Sequence, residues 1–230
     1  AVFRGMLEKT AYAASTDETR QFLNGVLLSF KDDKLTAVAT DGRRLALFEQ
    51  ELEIAKGNEC EMIVPSKTVS ELLRGLKEEG TVRIRQAKTQ IAFECGDLLV
   101  LSKLIEGPYP NFRQVIPAQA EHRISVDRET LLTAVRRVSL LTSEKTNAIR
   151  MTFAKNKLTV SAESPDVGEA RETIPIKYSG ATFNIGFNPD YVMDPLKHLP
   201  SDEIFLEITD EISPAVFKCD LPFLYVLMPM

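Results

Sequence analysis

The sequence predicts an α+β protein built from two tandem, duplicated domains, in each of which two helices pack on one face of antiparallel sheets. Two observations support this prediction. Short alternating apolar runs separated by turn residues indicate many strands, whereas only four segments have helical periodicity. The order of these elements also occurs twice along the chain, which indicates the duplication of a domain-sized unit.

The duplication is supported by short sequence matches at an offset of 123 or 124 residues. The matching pairs are 34–36 (Lys-Leu-Thr) with 157–159, Leu76 with Leu199, and 92–95 (Ala-Phe-Glu-Cys) with 216–219 (Val-Phe-Lys-Cys). We therefore predict one domain over residues 1–117 and another over 118–230. The second domain opens with a strand that the first domain lacks, so we expect the chain to be the C-terminal part of a longer protein.

In the first domain, a helix is predicted over residues 1–15, where the apolar residues fall mostly on one side. A second helix is predicted over 66–77, begun and capped by Pro65 and Ser66 and ended by Gly80. Strands are predicted over 22–30, 35–40, 45–52, 62–64, 81–85, 90–94 and 98–103. Residues 107–112 are punctuated by prolines and are expected to be extended.

In the second domain, Asp127 is expected to cap a helix over 128–142. Asn188 or Pro189 is expected to begin another helix, which ends at His198. Strands are predicted over 124–126, 149–153, 157–162, 170–175 and 182–185, followed by three closing strands that reach Met230.

Asp41 and Gly42 lie between two alternating apolar runs, which is a strong hairpin signal because glycine adopts positive φ without a Cβ clash. Arg43 and Arg44 follow directly at the start of the next strand. An exposed basic strand edge beside apolar side chains can form one wall of a peptide-binding groove. The turn is therefore a candidate binding element, with a plain hairpin as the simpler interpretation.

The composition excludes several classes of protein. The chain of 230 residues is 44% hydrophobic and 27% charged, which is typical of a globular protein with a sizeable core. Its three cysteines form no Cys-x-x-Cys pair, so neither a zinc site nor a disulfide framework is indicated, and a reducing compartment fits. No apolar run approaches the length of a membrane span, and the first residues do not read as a signal peptide.

No set of residues in the sequence indicates catalysis. His122 and His198 lie outside any nucleophile motif, and the sequence has no glycine-rich phosphate loop and no cluster of metal ligands. We therefore predict that the protein is not an enzyme and needs no cofactor or metal. An uncharacterised enzyme remains a third interpretation, which a pocket of convergent titratable groups would favour.

Charge is divided between the predicted elements. The chain has a formal net charge of −5, but its four predicted helices together carry +4 and the remainder carries −9. Because the helices share one side of each sheet, that side is predicted to be basic, as expected of a surface that meets phosphates without reading bases. An ordinary solvated helix face is the alternative.

Three separated motifs resemble those of one known family. They are 40–46 (Thr-Asp-Gly-Arg-Arg-Leu-Ala), 108–112 (Pro-Tyr-Pro-Asn-Phe) and 225–230 (Tyr-Val-Leu-Met-Pro-Met), and 22–25 and 143–145 agree with them. Together they resemble the bacterial sliding clamps, the beta subunits of DNA polymerase III. The resemblance covers nearly all of the chain and corresponds to the second and third of the family's three domains.

The resemblance implies a ring of two head-to-tail subunits that encircles duplex DNA without base contacts and tethers the replicative polymerase. Helices would line the hole, and sheets would lie outside. The residues expected to face DNA are Arg4, Lys9, Arg20, Lys67, Arg74, Lys77, Arg136, Arg137 and Lys197. Leu140 and Leu141 match the third-domain side of the ring interface, whose partner is a first domain, so we expect this chain by itself to be monomeric.

The family also binds short linear peptides of polymerases, the clamp loader and repair proteins in a hydrophobic groove. The matching residues here are Leu23, Thr40, Gly42, Arg43, Arg44, Leu45, Pro110, Val115, Asn188, Tyr191, Ile212, Pro214, Met228, Pro229 and Met230. The apolar members would take leucine or phenylalanine anchors, and Arg44 would offer donors to peptide carbonyls or a carboxylate. Arg43, Gln114 and Pro214 depart from the family's usual residues, so we expect different preferences at the rim of the groove.

The leading prediction is thus a sliding clamp without its N-terminal domain, acting in the cytoplasm in association with the nucleoid. The alternative, from another class, is a protein-interaction module with no role on DNA, in which the basic helices are merely solvated. Replacing Arg74, Arg136 and Arg137 together would distinguish the two.

Overall fold

The computed structural model describes residues 1–55, 57–142, 147–164 and 168–230. These residues form two compact units, unit 1 (Ala1–Phe112) and unit 2 (Arg113–Met230). The motif at 143–145 lies outside the described residues. The domain boundary expected between residues 117 and 118 stays a prediction.

The described part of unit 1 contains two α-helices and seven strands. The helices are α1 (Val2–Thr10) and α2 (Ser66–Gly75). The strands are β1 (Gly25–Lys31), β2 (Lys34–Thr40), β3 (Arg44–Glu51), β4 (Cys60–Pro65), β5 (Arg83–Gln86), β6 (Gln90–Cys95) and β7 (Leu98–Lys103).

The strands of unit 1 form two antiparallel sheets. One sheet has the strand order β4-β1-β2-β3, and the other has the order β5-β6-β7. Helix α1 packs on β2 and β3, and α2 packs on β1 and β7. The core between these layers includes Leu28, Leu72 and Phe93, each at most 1% exposed.

The described part of unit 2 contains two α-helices and eight strands. The helices are α3 (Arg128–Ser139) and α4 (Pro189–His198). The strands are β8 (His122–Asp127), β9 (Ile149–Ala154), β10 (Lys157–Ser164), β11 (Gly168–Pro175), β12 (Phe183–Phe187), β13 (Glu203–Ile208), β14 (Ala215–Lys218) and β15 (Phe223–Leu227).

The strands of unit 2 also form two antiparallel sheets. Their orders are β11-β10-β9-β12 and β8-β13-β14-β15. Helix α3 contacts α4 and packs on β10 and β11. The core includes Leu131, Phe187 and Phe217, each at most 1% exposed.

Equivalent positions in the two units confirm the predicted duplication. Lys34 and Lys157 each begin the second strand of a hairpin after a two-residue turn. Leu76 and Leu199 each follow the last residue of a helix in an extended conformation, and each donates its N–H to the carbonyl four residues back. Strand β8 pairs with β13 in unit 2, whereas the described residues of unit 1 include no counterpart of β8.

Helices α1 and α3 end earlier than expected. Helix α1 ends at Thr10, not near residue 15. The Thr10 hydroxyl donates to the carbonyl of Met6 at 2.8 Å, a local bond that competes with continuation of the helix. Residues Ala11–Ala13 tighten into a 3-10 turn. Helix α3 ends at Ser139, three residues before the predicted end.

Helix α2 begins at Ser66, as predicted, but its predicted cap and its predicted end were wrong. The Ser66 hydroxyl donates to the carbonyl of Asn24 at 2.9 Å and does not cap the helix. The helix ends at Gly75, before the expected Gly80. At Gly75 a Cβ would lie 2.8 Å from a methyl carbon of Leu98, so a side chain here would require Leu98 to move.

The caps predicted for the other two helices are confirmed. Asp127 accepts the N–H of Thr130 at 2.7 Å at the start of α3. Asn188 accepts the N–H of Asp190 at 2.9 Å at the start of α4, where Pro189 is the first helical residue.

The strand predicted from residue 22 begins at Gly25 instead. Residues Glu18–Leu23 form 3-10 turns, which Asp17 stabilises by accepting the N–H of Thr19 at 2.9 Å. These local bonds override the apolar pattern that favoured a strand. Within the described part of the chain, no helix combines the length and apolar character needed to cross a membrane.

Candidate functional site

The turn between β2 and β3 is held by its own side chains. The Thr40 hydroxyl accepts the N–H of Gly42 at 3.1 Å and donates to the Arg44 carbonyl at 2.6 Å. Asp41 accepts the N–H groups of Arg43 and Arg44 at 2.8 Å and 3.1 Å. Gly42 has a φ of +90°, as the hairpin signal predicted. The turn is therefore preorganised within unit 1.

The guanidinium of Arg44 is used inside unit 1. Its Nε donates to the Asp41 carboxylate at 3.1 Å, and a terminal nitrogen donates to the carbonyl of Tyr12 at 2.8 Å. The Arg44 side chain is only 10% exposed and also lies 5.9 Å from the centre of the Tyr12 ring. Arg44 therefore supports the turn from within, whereas the neighbouring Arg43 is exposed to solvent.

Arg20 lies beside the same turn. A Cβ at Gly42 would be 3.1 Å from a guanidinium nitrogen of Arg20, which pairs with Asp17 at 3.0 Å. The 3-10 segment Glu18–Leu23 positions this side chain. Sequence reasoning placed Arg20 in the DNA-facing set and missed its proximity to Gly42, because no local pattern connects the two positions.

The other candidate residues of unit 1 differ in their exposure. Leu23 and Leu45 are 4% and 2% exposed, whereas Pro110 lies on the surface. The neighbouring Tyr109 donates its hydroxyl to the carbonyl of Val38 at 3.4 Å, and burial raises the pKa of this phenol. Tyr109 thus ties the proline loop to β2.

In unit 2, the first turn of α4 positions Asn188 and Tyr191. Pro195 has no N–H to donate to the Tyr191 carbonyl four residues earlier, which removes one helical hydrogen bond. The hydroxyl of the buried Tyr225 in β15 donates to that carbonyl at 2.8 Å. A side chain of the last strand therefore replaces the missing bond and fastens α4 to it.

Ile212 lies on a loop that one carboxylate organises. Asp210 accepts the N–H groups of Ile212 at 2.9 Å and Ser213 at 2.6 Å, and it also accepts the Ser213 hydroxyl at 2.9 Å. These hydrogen bonds hold the pKa of Asp210 below its usual range, and the bond from the Ile212 N–H has the largest effect. The Ile212 side chain on this loop is 84% exposed, and Pro214 is half-buried.

The C-terminal residues extend past β15 and are tied to β12. The N–H of Met230 donates to the carbonyl of Gly186 at 2.9 Å. Met228 and Met230 are 41% and 67% exposed, with Pro229 between them. Val115, which ends the 3-10 segment Phe112–Val115, is 47% exposed. Unit 2 thus carries several accessible apolar side chains.

Five of the nine residues expected to face DNA are already paired with carboxylates. The ion pairs are Arg4–Glu8, Arg20–Asp17, Arg74–Glu71, Arg137–Glu172 and Lys197–Asp194, at 2.8–3.7 Å. Lys9 donates to the Gly5 carbonyl at 3.4 Å. Across the described residues, Lys67, Lys77 and Arg136 are exposed and form no ion pair, so these three side chains are available to a ligand without the loss of an ion pair.

The two leucines expected at the ring interface lie directly after α3. Leu140 is 80% exposed, and Leu141 is half-buried. An isolated, fully exposed leucine at a helix end is compatible with an interface and also with an ordinary surface.

The described residues form no group of three or more His, Cys, Asp or Glu side chains that could hold a metal ion. Cys60, Cys95 and Cys219 are unbonded thiols at half-buried positions. Burial raises the pKa of the Cys60 thiol, which lowers its thiolate fraction and its reactivity at neutral pH.

Both units match models of one protein family. Residues 1–111 match the central domain of the DNA polymerase III beta subunit, and residues 113–230 match its C-terminal domain. The beta sliding clamp of Chlamydia muridarum is 34% identical over 99% of this chain and 62% of its own length. That of Escherichia coli K12 is 31% identical over 100% of this chain and 63% of its own length. This chain therefore spans less than two thirds of the length of these relatives.

Solved structures agree with the family models. A DNA polymerase sliding clamp from Pseudomonas aeruginosa has a TM-score of 0.95 at 32% identity, over all of this chain and 64% of its own. That of Bacillus subtilis has a TM-score of 0.94 at 30% identity, over all of this chain and 62% of its own. Another Pseudomonas aeruginosa clamp, with a TM-score of 0.95, was solved bound to griselimycin. These likenesses confirm the predicted α+β fold of duplicated clamp domains, and the chain belongs to the family of DNA polymerase III beta subunits.

Proposed function

We propose that the protein acts as a DNA sliding clamp, a non-enzymatic processivity factor. Its ring would encircle duplex DNA in the cytoplasm and tether the replicative polymerase, the clamp loader and repair proteins through short peptides. Family membership supports this proposal, and this chain corresponds to the central and C-terminal domains. The ring and its partners are properties of a protein with the full length of the relatives.

The exposed apolar side chains of unit 2 carry the proposal. Ile212, Met228 and Met230 are 84%, 41% and 67% exposed, yet hydrogen bonds of the main chain fix the segments that bear them. Rigidly presented apolar groups lose little conformational entropy when a ligand covers them. Methionine side chains also adapt to ligands of varied shape. A peptide with leucine or phenylalanine anchors is the occupant that this chemistry fits.

We propose that the turn of unit 1 is also a peptide-binding element. Its preorganised backbone presents the exposed Arg43, a cation suited to an acidic side chain or a terminal carboxylate of the peptide. The buried Arg44 would act by holding this turn. The residues proposed to bind peptides are, in unit 1, Leu23, Thr40, Gly42, Arg43, Arg44, Leu45 and Pro110 and, in unit 2, Val115, Asn188, Tyr191, Ile212, Pro214, Met228, Pro229 and Met230.

Titration with a peptide tests the binding site. A fluorescein-labelled peptide that carries one leucine and one phenylalanine is added to this chain and followed by fluorescence anisotropy. Replacing Ile212 by Ala should weaken binding about 5- to 30-fold, because it removes an apolar contact worth about 1–2 kcal/mol. Leu140→Ala is the matched control, since Leu140 is similarly exposed at 80% but lies outside the proposed site. Equal affinities for both variants would remove Ile212 from the site.

The main phosphate contacts are proposed to be Lys67, Lys77 and Arg136, which form no ion pair with another described residue. Lys67, Lys77 and Arg136 can approach a DNA backbone without breaking an ion pair, whereas Arg74 and Arg137 must first leave their carboxylates. Few weak phosphate contacts are an advantage for a ring, because they allow it to slide.

Salt dependence tests these contacts in a full-length clamp that contains this chain. Replacing Lys67, Lys77 and Arg136 together by Ala should reduce the slope of log affinity for duplex DNA against log salt by about 2–3, since each phosphate contact contributes about 0.9. The matched control replaces the paired Arg74, Arg137 and Lys197 and should change the slope less. A larger effect of the control would reverse the assignment.

The ring interface is proposed to include Leu140 and Leu141. This chain by itself should sediment as a monomer, and a full-length clamp should sediment as a closed dimer that Leu140→Asp weakens. A stable closed dimer of this chain alone would contradict the assignment.

A further inference from the structure

We propose that Glu211 is a positioning residue for the peptide-binding surface. Its carboxylate fixes the Ile212 loop to the outer edge of β12, the same strand edge that holds the C-terminal residue. The inference rests on the peptide-binding function proposed above, and it adds to that function the device that sets the position of Ile212.

The outer edge of β12 holds two separate segments of unit 2. Strand β12 pairs with β9 along one edge. On the other edge, the N–H of Asn184 donates to a carboxylate oxygen of Glu211 at 3.1 Å, and the carbonyl of Gly186 accepts the N–H of Met230 at 2.9 Å. Residues two apart on a strand direct their main-chain groups to the same edge, so the two attachment points lie about 7 Å apart.

The Ile212 loop joins the paired strands β13 and β14, the Thr209 hydroxyl at its base donates to the Gln119 carbonyl at 3.4 Å, and Glu211 attaches its tip to β12. Asp210 organises the loop through its bonds to Ile212 and Ser213, and all of these lie within the loop itself. Packing cannot position the loop tip, since the Ile212 side chain is 84% exposed. The bond from Asn184 to Glu211 supplies the link to the sheet at the residue directly before Ile212.

Strand β12 is a rigid base for this link. The Thr152 hydroxyl of β9 donates to the Asn184 side chain at 2.6 Å, and Ile185 next to it is 2% exposed in the core. A loop fixed to such a base presents Ile212 in one place. Without the link, part of the binding free energy would be lost in ordering the loop on each encounter with a peptide.

Two variants of Glu211 separate the hydrogen bond from the charge. Glu211→Ala removes the acceptor, and Glu211→Gln keeps a carbonyl oxygen in the same place without the charge. Glu129→Ala is the matched control, because Glu129 is an exposed carboxylate of unit 2 at the start of α3, and α3 follows the end of the β8–β13 ladder opposite the Ile212 loop. All three substitutions lie on the surface, so thermal unfolding should show an intact fold.

Anisotropy titrations with the labelled leucine–phenylalanine peptide give the first readout, and hydrogen exchange of the Asn184 amide gives the second. Glu211→Ala should weaken peptide binding about 3- to 10-fold, the effect of one hydrogen bond, and should speed exchange of the Asn184 amide. Glu211→Gln and Glu129→Ala should each stay within about twofold of the unaltered chain, since neither removes the acceptor.

The outcomes separate the two proposals. If the unaltered chain does not bind the peptide, the peptide-binding function fails and the inference fails with it. If the unaltered chain binds and Glu211→Ala binds equally well, the inference alone is overturned. An equal loss for Glu211→Gln and Glu211→Ala also overturns it, because charge and not the hydrogen bond would then be the cause.

Discussion

The hydroxyl of Tyr225 donates to the main-chain carbonyl of Tyr191 at 2.8 Å, at the point where Pro195 cannot. Proline inside a helix removes the donor for the carbonyl four residues earlier. Tyr225 is fully buried in β15, so its hydroxyl reaches the helix from the core of unit 2. One contact thus compensates for a proline in α4 and joins that helix to the segment that leads to the C-terminus.

Replacing Tyr225 by Phe should destabilise the chain by about 1–2 kcal/mol, because it removes one donor to a buried carbonyl while it keeps the ring. The cost should fall when Pro195 is also replaced by Ala, since residue 195 then regains the N–H that pairs with Tyr191 in a regular helix. Urea unfolding of the two single variants and the double variant measures this coupling free energy. Additive effects would show that the hydroxyl does not compensate for the proline.

Replacing Arg44 by Ala should destabilise the chain by about 2–3 kcal/mol, because it leaves the half-buried Asp41 carboxylate without its cation and removes a donor to Tyr12. Arg43→Ala is the control and should change the free energy of unfolding by less than about 0.5 kcal/mol, since Arg43 is exposed. Urea unfolding measures both variants. Equal effects would show that the contacts of Arg44 contribute little.

Features that depend on local chemistry could be predicted from the sequence. The Asp41–Gly42 turn and the caps at Asp127 and Asn188 each rest on side-chain bonds that span at most three residues, and each is found in the structure. The duplication could also be predicted, because Lys34 and Lys157 keep the same place after equivalent turns. In the turn and the two caps, bonds between residues close in sequence determine the conformation.

Features that depend on distant partners could not be predicted. Ser66 has the residue type and position of a helix cap, but its hydroxyl donates a hydrogen bond to the carbonyl of Asn24 instead. Arg44 was expected to donate hydrogen bonds to a ligand, but one of its N–H groups donates to the carbonyl of Tyr12, 32 residues away. The hydrogen bond between the Asn184 N–H and Glu211 likewise joins positions 27 residues apart, and no sequence motif predicts it. The sequence proposed residues for the candidate site but could not predict what each one contacts.

The Ile212 loop should loosen in acid. The three hydrogen bonds of Asp210 favour its charged form, so its folded-state pKa is lower than the unfolded value of about 3.9. This contribution to stability is present above that unfolded value and is lost as the pH falls through the lower, folded-state pKa. The amide resonances of Ile212 and Ser213 should therefore titrate with a midpoint below about 3.9 in NMR spectra.

Asp210→Asn is the control for this titration. The amide keeps one acceptor for the loop and has no proton to gain, so the titration of the two amide resonances should disappear. A midpoint at or above the ordinary aspartate value in the unaltered chain would show that the hydrogen bonds do not favour the carboxylate.

Gly25 and Ala148 occupy equivalent positions in the two units, 123 residues apart, but their surroundings differ. Gly25 pairs with Pro65 across β1 and β4, and a Cβ there would collide with the carbonyl oxygen of Val64. In unit 2 the corresponding ladder ends at Ile149, so Ala148 lies outside it. One extra ladder pair in unit 1 thus explains why that unit has glycine.

Gly25→Ala should therefore destabilise the chain by about 1–3 kcal/mol, because the strand must shift to accommodate a methyl group against main-chain atoms. The reciprocal Ala148→Gly should cost at most about 1 kcal/mol, through the greater entropy of glycine in the unfolded chain. Urea unfolding of both variants gives the comparison. If Gly25→Ala were as mild as Ala148→Gly, the β1–β4 ladder would have room for a side chain, and the glycine would not be required by the close approach of β4.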